Sequence, residues 1–575
     1  MDVDVIEKTA DERYKESIRV KQGIYTICFV LLCLIDQIMG SAMGRVQFVA
    51  ANCTGFIIAV IIFTGYRWKD FMRLPYAIWT VFCIVGGYFA IRWGRENYEH
   101  YGKWVTAVVN VAIYGYLVLR ILIRVFQEKR IPRMNWRFFF LWVVMMLCMV
   151  FSRNEAVWPL WFLVMFGCFY LTEYTKEELD ALFNGMLNGI IIGFCILQGF
   201  ATMFRAFDDL RYASMYTNGN MYALFCVIVQ AAILGKWYRF KRNGTSWGWR
   251  LLAGAGSGIL MAYCFLTICR TAMIAMMANM LLLTAIFFFQ EEKRRVIKAV
   301  GRLAAVLAVA VVSFPVVFQS IRMIPAEFYS PMLLAGDADY KIQGGAPTWD
   351  ERYIEMDEFL EAALGRLFWF FQPSGEEEKP DVDLSDVIGE ILLPSLTVYA
   401  AEETAGDEES DERRPWGSGL TQDDPVLTEM EDIQDDIKVR WAIYKTYLVR
   451  LNLWGHEGEE GVWVSEGYFA PHPHNFLLEA MYSYGIVAGI LFLGIMLLAF
   501  LRCINRCVRE PRGMWYFIVG IFMISSYICF GTLEIDWRVG QLSYVMIFVV
   551  QYLLFQRCDM ENKEERMREE GFKAL

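Results

Sequence analysis

Long apolar runs, almost free of charge, recur from one end of this chain to the other and restrict its fold more than any other feature. Residues 46–66 (VQFVAANCTGFIIAVIIFTGY), 271–289 (TAMIAMMANMLLLTAIFFF) and 486–500 (IVAGILFLGIMLLAF) are typical. A bilayer's hydrocarbon core takes roughly twenty apolar residues at 1.5 Å rise each, a length that a helix in a soluble core rarely needs. Lipid offers no partner to a bare peptide group, so runs of this length are helices. Of the 575 residues 56% are apolar, an excess over soluble chains that disfavours a large water-soluble α-protein. Spans are read at 23–43, 46–66, 74–92, 104–126, 137–152, 157–174, 183–204, 220–237, 249–269, 271–289, 297–318, 475–501, 513–531 and 539–556. The fold class is an all-α polytopic membrane protein with about 14 transmembrane helices, the fifth and sixth short enough to be one re-entrant pair.

Lysine and arginine set the orientation. With the N-terminus in the cytoplasm, the basic segments RWKDFMR (67–73), QEKRIPRMNWR (127–137), KWYRFKRNGTSWGWR (236–250), EEKRRVIK (291–298) and RCINRCVREPRG (502–513) all fall inside. Short loops and tails then carry roughly thirty Lys and Arg inside against roughly nine outside. An error of one span would scramble that alternation, so the count and the orientation support each other. The expected organisation is a cytoplasmic tail 1–22, helices over 23–320, an extracytoplasmic loop 321–473, helices over 474–556 and a cytoplasmic tail 557–575. Residues 1–22 are charged throughout, which argues against a cleavable leader there. The location is then the cytoplasmic membrane, multi-pass, with both termini inside.

The loop 321–473 is strongly acidic, with runs EEEKPDVDLSD (376–386) and EETAGDEESDERRP (402–415) that read as solvated or disordered lobes. Two stretches have helical spacing. ERYIEMDEFLEAALGRLFWFF (351–371) has an aromatic end suited to the membrane surface, and DDIKVRWAIYKTYLVRLNLWG (435–455) ends at a glycine stop. None of the 14 cysteines lies in this loop, so no disulfide staples it, and no CxxC pair exists to hold zinc.

Three of the four histidines (His456, His472, His474) lie within nineteen residues at the end of that loop. His474 and Asn475 stand where the loop meets the twelfth span, in APHPHNFLLEAMYSYGIVAG (470–489). Imidazole titrates near neutrality and suits a general base, although helix capping or a His-x-His metal pair would use the same residues. Pro473 is expected to send the His472 ring into different surroundings from His474. Arg270, between the ninth and tenth spans, and Arg211 with Asn218 and Asn220, before the eighth, fall on the same outer face. Arg440 lies on the second loop helix. An arginine wedged between apolar spans is costly without an anionic partner, and guanidinium matches phosphate oxygens in bidentate geometry. One histidine and several arginines on one membrane face point to chemistry on a phosphate-bearing lipid, with snorkelling or ion pairing as the alternative use of each arginine.

These elements, in this order, resemble the O-antigen ligase and O-antigen polymerase superfamily of bacterial membrane glycosyltransferases. The family's His-Asn, nine residues, then Gly pattern resembles His474-Asn475 followed by Gly485, with Ala488 at the next small-residue position. Its Asn-Pro-Asn element resembles Asn218-Gly219-Asn220, with glycine for proline, and its Ser-Arg element resembles Cys269-Arg270, with cysteine for serine. Its loop-helix arginine resembles Arg440 ahead of Gly455. The likeness covers roughly residues 180–500. It implies a class C glycosyltransferase fold acting on a polyprenyl (undecaprenyl) pyrophosphate-linked glycan, without cofactor or required metal. The acceptor would be a glycan, lipid or protein, and no nucleic acid is implied. In that scheme His474 takes the acceptor's proton, Arg270 with Arg211 or Arg440 neutralises the leaving pyrophosphate, Asn218, Asn220 and Asn475 line the site, and Glu479 orients the imidazole.

The competing class is a transporter or flippase of lipid-linked glycans. It would show ionisable groups or broken helices near the bilayer midplane, together with internal repeats. No repeat is evident. Arg120 and Arg124 lie near enough to a cytoplasmic end to snorkel, which leaves Asp36 as the one unexplained intramembrane charge.

Overall fold

The computed structural model describes residues 3–41, 45–97, 101–132, 134–154, 156–205, 211–216, 219–290, 295–327, 332–335, 340–343, 355–368, 437–457, 461–465, 468–470, 472–509, 515–531 and 546–556. A helix occupies each of the fourteen apolar segments over its described residues. In chain order they are α1 (Val3–Ser41), α2 (Arg45–Phe63), α3 (Leu74–Asn97), α4 (Tyr101–Phe126), α5 (Trp136–Val150), α6 (Trp158–Tyr170), α7 (Lys176–Phe204), α8 (Gly219–Arg242), α9 (Trp247–Phe265), α10 (Arg270–Gln290) and α11 (Arg295–Glu327). The loop contributes α12 (Met356–Phe368) and α13 (Ile437–Val449), after which come α14 (Phe476–Tyr484), α15 (Ile486–Arg509), α16 (Trp515–Gly531) and α17 (Met546–Gln556). Among the described residues eight helices are long and apolar enough to cross a membrane, and five apolar ones are shorter. The short helices α5 and α6, at 15 and 13 residues, are among the latter. At 1.5 Å per residue each is about 20 Å long, less than the ~30 Å hydrocarbon core.

Helix association in lipid relies on close packing, and α1 with α7 shows the means. Gly185, Gly189 and Gly193 recur every fourth residue of α7 and face Tyr25, Phe29 and Cys33 on α1. A Cβ added to these glycines would stand 2.6, 2.5 and 2.8 Å from the Cβ atoms of those three residues. The G-x3-G-x3-G spacing is visible in the sequence, but the helix it meets is not. Gly189→Val should therefore destabilise the protein by about 1–3 kcal/mol through overpacking. Gly199→Val, on the same helix with nothing within 4 Å of the added Cβ, should melt like the parent. Tryptophan-fluorescence melts in detergent compare the two.

Inside the bundle, polar side chains pair across helices. Asn110 Nδ2 donates to Asn52 Oδ1 at 2.8 Å, joining α4 to α2, and Asn279 Nδ2 donates to Ser526 Oγ at 2.6 Å, joining α10 to α16. At the end away from the long loop, Arg120 and Arg124 reach acidic residues of the adjoining turns and are ion-paired. Arg120 contacts Glu128 at 3.0 Å and Asp70 at 3.9 Å, Arg73 also reaches Glu128 at 2.9 Å, and Arg124 pairs with Glu173. Among the charges found by sequence, the Asp36 side chain lies outside the described set.

Four features of the loop extend or correct its sequence reading. First, α11 continues to Glu327 with Pro315 and Pro325 inside it, so the loop begins later than residue 321. Second, the segment contains two short antiparallel hairpins, β1–β2 (Met332–Ala335, Tyr340–Gln343) and β3–β4 (Val462–Ser465, Tyr468–Ala470). Third, α12 packs on protein through Phe359 and Ala363, both fully buried, with Phe359 against Phe265, Phe314 and Phe318, while the aromatic end at 369–371 lies outside the described residues. Fourth, α13 ends at Val449, six residues before Gly455. The acidic runs 376–386 and 402–415 lie outside the described residues.

Candidate functional site

Two clusters form at the loop end of the bundle. The first joins the segment before α8 to the turn between α9 and α10. That turn is tight: Thr267 and Ile268 donate their backbone N–H groups to Cys264 and Phe265, and the Thr267 hydroxyl binds both Cys264 O (2.7 Å) and Cys269 N (3.1 Å). Residues 211–216 lie against it, with Tyr212 N donating to Leu266 O at 2.9 Å. Arg211 Nε donates to Thr267 O at 2.9 Å, and its Nη2 donates to Asn220 Oδ1. Asn220 is the second residue of α8, and Arg270 is the first residue of α10. Gly219, the start of α8, is itself close to the turn, where an added Cβ would be 3.6 Å from Thr267 O. Arg211 thus bridges the starts of two helices, the second opened by Arg270, and helix N-termini and guanidinium groups both favour an anion. Asn218 lies outside the described residues.

The second cluster is a small core of α13, β3–β4 and α14, with Ile443, Tyr447, Val462, Val464 and Tyr482 buried together. Two tyrosines one turn apart on α13 hold the histidine segment. Tyr447 donates its hydroxyl to Ala470 O at 3.0 Å, and Tyr444 donates to His474 O at 3.1 Å. Arg440 lies one further turn back on the same helix, at the i−4 position from Tyr444, so it belongs to the face that meets His474. Burial pushes the Tyr447 phenol pKa up, and the nearby Glu479 charge adds to that rise.

The His472 and His474 rings stand edge to face, 4.3 Å between centroids. The expectation that Pro473 would separate them is therefore wrong: the chain turns at His474, whose φ of 47° brings its ring back toward its neighbour. Among the described residues no third His, Cys or carboxylate joins them in a metal-binding group. His456 has a structural task. Its ring stacks on Tyr482 at 3.8 Å, and its Nδ1 lies 2.9 Å from Tyr482 O. Asn475, expected in the substrate site, uses its side-chain oxygen to cap α14, accepting from Leu477 N and Leu478 N at 3.0 Å each. Glu479, the expected orienting group, accepts from Ser483 Oγ at 2.9 Å.

The glycine of the His-Asn-x9-Gly pattern has a clear task. The expected twelfth span (475–501) is broken at Gly485 (φ 94°) into α14 and α15. A Cβ on Gly485 would lie 2.1 Å from Leu453 O, and one on Gly455 (φ 78°) would lie 2.3 Å from Ser483 O. Only glycine tolerates both the dihedral and the backbone approach, so this pair locks the loop's end against the helix break. The α5–α6 turn supports the same point, as Arg153 N donates to Trp454 O at 2.8 Å and Trp158 Nε1 to Tyr484 OH at 2.9 Å.

The clusters are linked through α16. Phe476, next to the His474-Asn475 pair, packs on Tyr527 at 5.3 Å, and Tyr527 shares an apolar cleft with Leu224, one turn along α8 from Asn220. Backbone strain concentrates here as well. Among the described residues four non-glycine residues have positive φ: Lys129, Ser214, Ile268 and His474. Three of the four lie in the segments that carry Arg211, Arg270 and the imidazole pair, and strain of this kind persists only where the surroundings over-determine it. Tyr444 and Thr267 are not apparent from sequence as parts of the site, and only Tyr444 has a signal there, its helical spacing from Arg440. Compared with known proteins, the chain matches no protein-family model and no curated sequence.

Proposed function

We propose that this protein is a membrane glycosyltransferase of the O-antigen ligase and polymerase kind, moving a glycan from a polyprenyl pyrophosphate to an acceptor hydroxyl on the outer face of the cytoplasmic membrane. The observation that carries this reading is the bonding of Arg211 to Asn220 at the start of α8 and to Thr267 O, three residues before Arg270 opens α10. That arrangement suits a pyrophosphate, because helix dipoles and guanidinium forks both favour multiple anionic oxygens. The acceptor oxygen attacks the anomeric carbon while the carbon–oxygen bond to phosphate breaks, and its electron pair leaves with the pyrophosphate. His474 takes the acceptor's proton, and Arg270, Arg211 and Arg440 offset the charge developing on the leaving group. Asp36 and the break at Gly485 are features that a transporter would share, but the break lies beside Leu453 at the loop end of the bundle.

Removing the protein from its cell and separating the surface glycans on a gel tests the reading. Loss of the ladder with single repeats retained is the result expected of a polymerase. Accumulation of unattached lipid-linked polymer is the result expected of a ligase. An unchanged profile contradicts both.

A further inference from the structure

We infer that Gln198 of α7 is a positioning residue that sets Arg211 for the pyrophosphate; the claim rests on reading Arg211 as an anion ligand. Gln198 is 5% exposed, and its carboxamide is used in every direction. Nε2 donates to Thr202 Oγ1 at 3.2 Å and to the Tyr212 hydroxyl at 3.3 Å. Oε1 accepts from the Tyr222 hydroxyl at 2.6 Å and from Ser214 Oγ at 3.3 Å. Two donors and two lone pairs are thereby satisfied, the full capacity of the group.

The partners tell what the hub holds. Tyr212 and Ser214 follow Arg211 in its short segment, and Tyr222 lies two residues beyond Asn220 on α8. One buried side chain therefore ties the backbone that carries Arg211 to the helix that carries its acceptor. Ser214 stands at φ 52° and is buried; Arg205 Nε grips its carbonyl at 3.0 Å while Gln198 grips its hydroxyl. A strained residue held from both sides keeps one geometry, and an arginine on such a backbone meets an anion with little left to order. Gln198 acts through Tyr212 and Ser214, and it is no ligand itself.

The test uses the full-length protein purified in detergent, titrated calorimetrically with geranylgeranyl pyrophosphate. Arg211→Lys and Gln198→Leu should each weaken binding about tenfold, the scale of one charge-assisted hydrogen bond. The double variant should be no weaker than Arg211→Lys alone, because the second change acts through the first. Tyr222→Phe removes a single hydroxyl and should give a smaller loss in the same direction, which covers the case in which Gln198→Leu fails to fold. If the Gln198 and Arg211 losses multiply, or Arg211→Lys is weak while Tyr222→Phe binds like the parent, the positioning claim is overturned and the Arg211 reading survives. If Arg211→Lys itself binds like the parent, the anion reading of Arg211 fails and the positioning claim falls with it.

Discussion

His474→Ala should slow glycan transfer by about 10²–10⁴-fold, the usual loss on removing a general base. The protein should still insert and melt normally, because His474 sits half-buried at a polar boundary and contributes to the small α13–α14 core through its carbonyl, which alanine keeps. His472→Ala has a different logic. The two rings touch edge to face, so removing His472 withdraws one wall that fixes the His474 ring. A misplaced base loses part of its advantage, and a decrease of about tenfold is expected. The rate of glycan release from the lipid carrier separates these cases. If His472→Ala costs as much as His474→Ala and chelator abolishes activity, the pair binds a metal and the general-base assignment is wrong.

Arg270→Lys should lower the transfer rate by about 10²–10³-fold, comparable to losing one preorganised donor to a developing anion. Charge is retained in this variant, but the planar fork is not, and a point-charge ammonium on a different stem cannot make the same paired contacts with phosphate oxygens. The site at the first residue of α10 makes the geometry strict. The preceding turn is fixed by the Thr267 hydroxyl and by the strained Ile268 (φ 52°), so the backbone has little freedom to move a shorter contact into place. The same loss should appear in transfer rate rather than in thermal stability. A fully active Arg270→Lys protein would make Arg270 a structural residue.

How far the sequence anticipates this structure follows from the range of each signal. The apolar runs were legible because the bilayer imposes length and composition on each segment independently of its neighbours. The pairing of α1 with α7 depends on three glycines meeting Tyr25, Phe29 and Cys33 some 160 positions away, a match that no local pattern displays. Arg211, Asn220 and Arg270 share one end of the bundle by the alternation of spans alone, but the bond from Arg211 to Thr267 O depends on a turn whose shape is set by side chain–backbone hydrogen bonds. The separate treatment of His472 and His474 failed because a positive φ at a non-glycine residue reverses the direction that proline would otherwise impose. Gly485 was found as a spacing and explained only when the backbone of Leu453 came within reach of it.

The most direct measurement reconstitutes the purified protein into phospholipid vesicles with a polyprenyl pyrophosphate-linked glycan and its acceptor. With no nucleotide sugar present, glycan should appear on the acceptor, with one polyprenyl pyrophosphate released per transfer and both signals lost in His474→Ala. Movement of the intact lipid-linked glycan between leaflets, with no release of polyprenyl pyrophosphate, would contradict the glycosyltransferase reading.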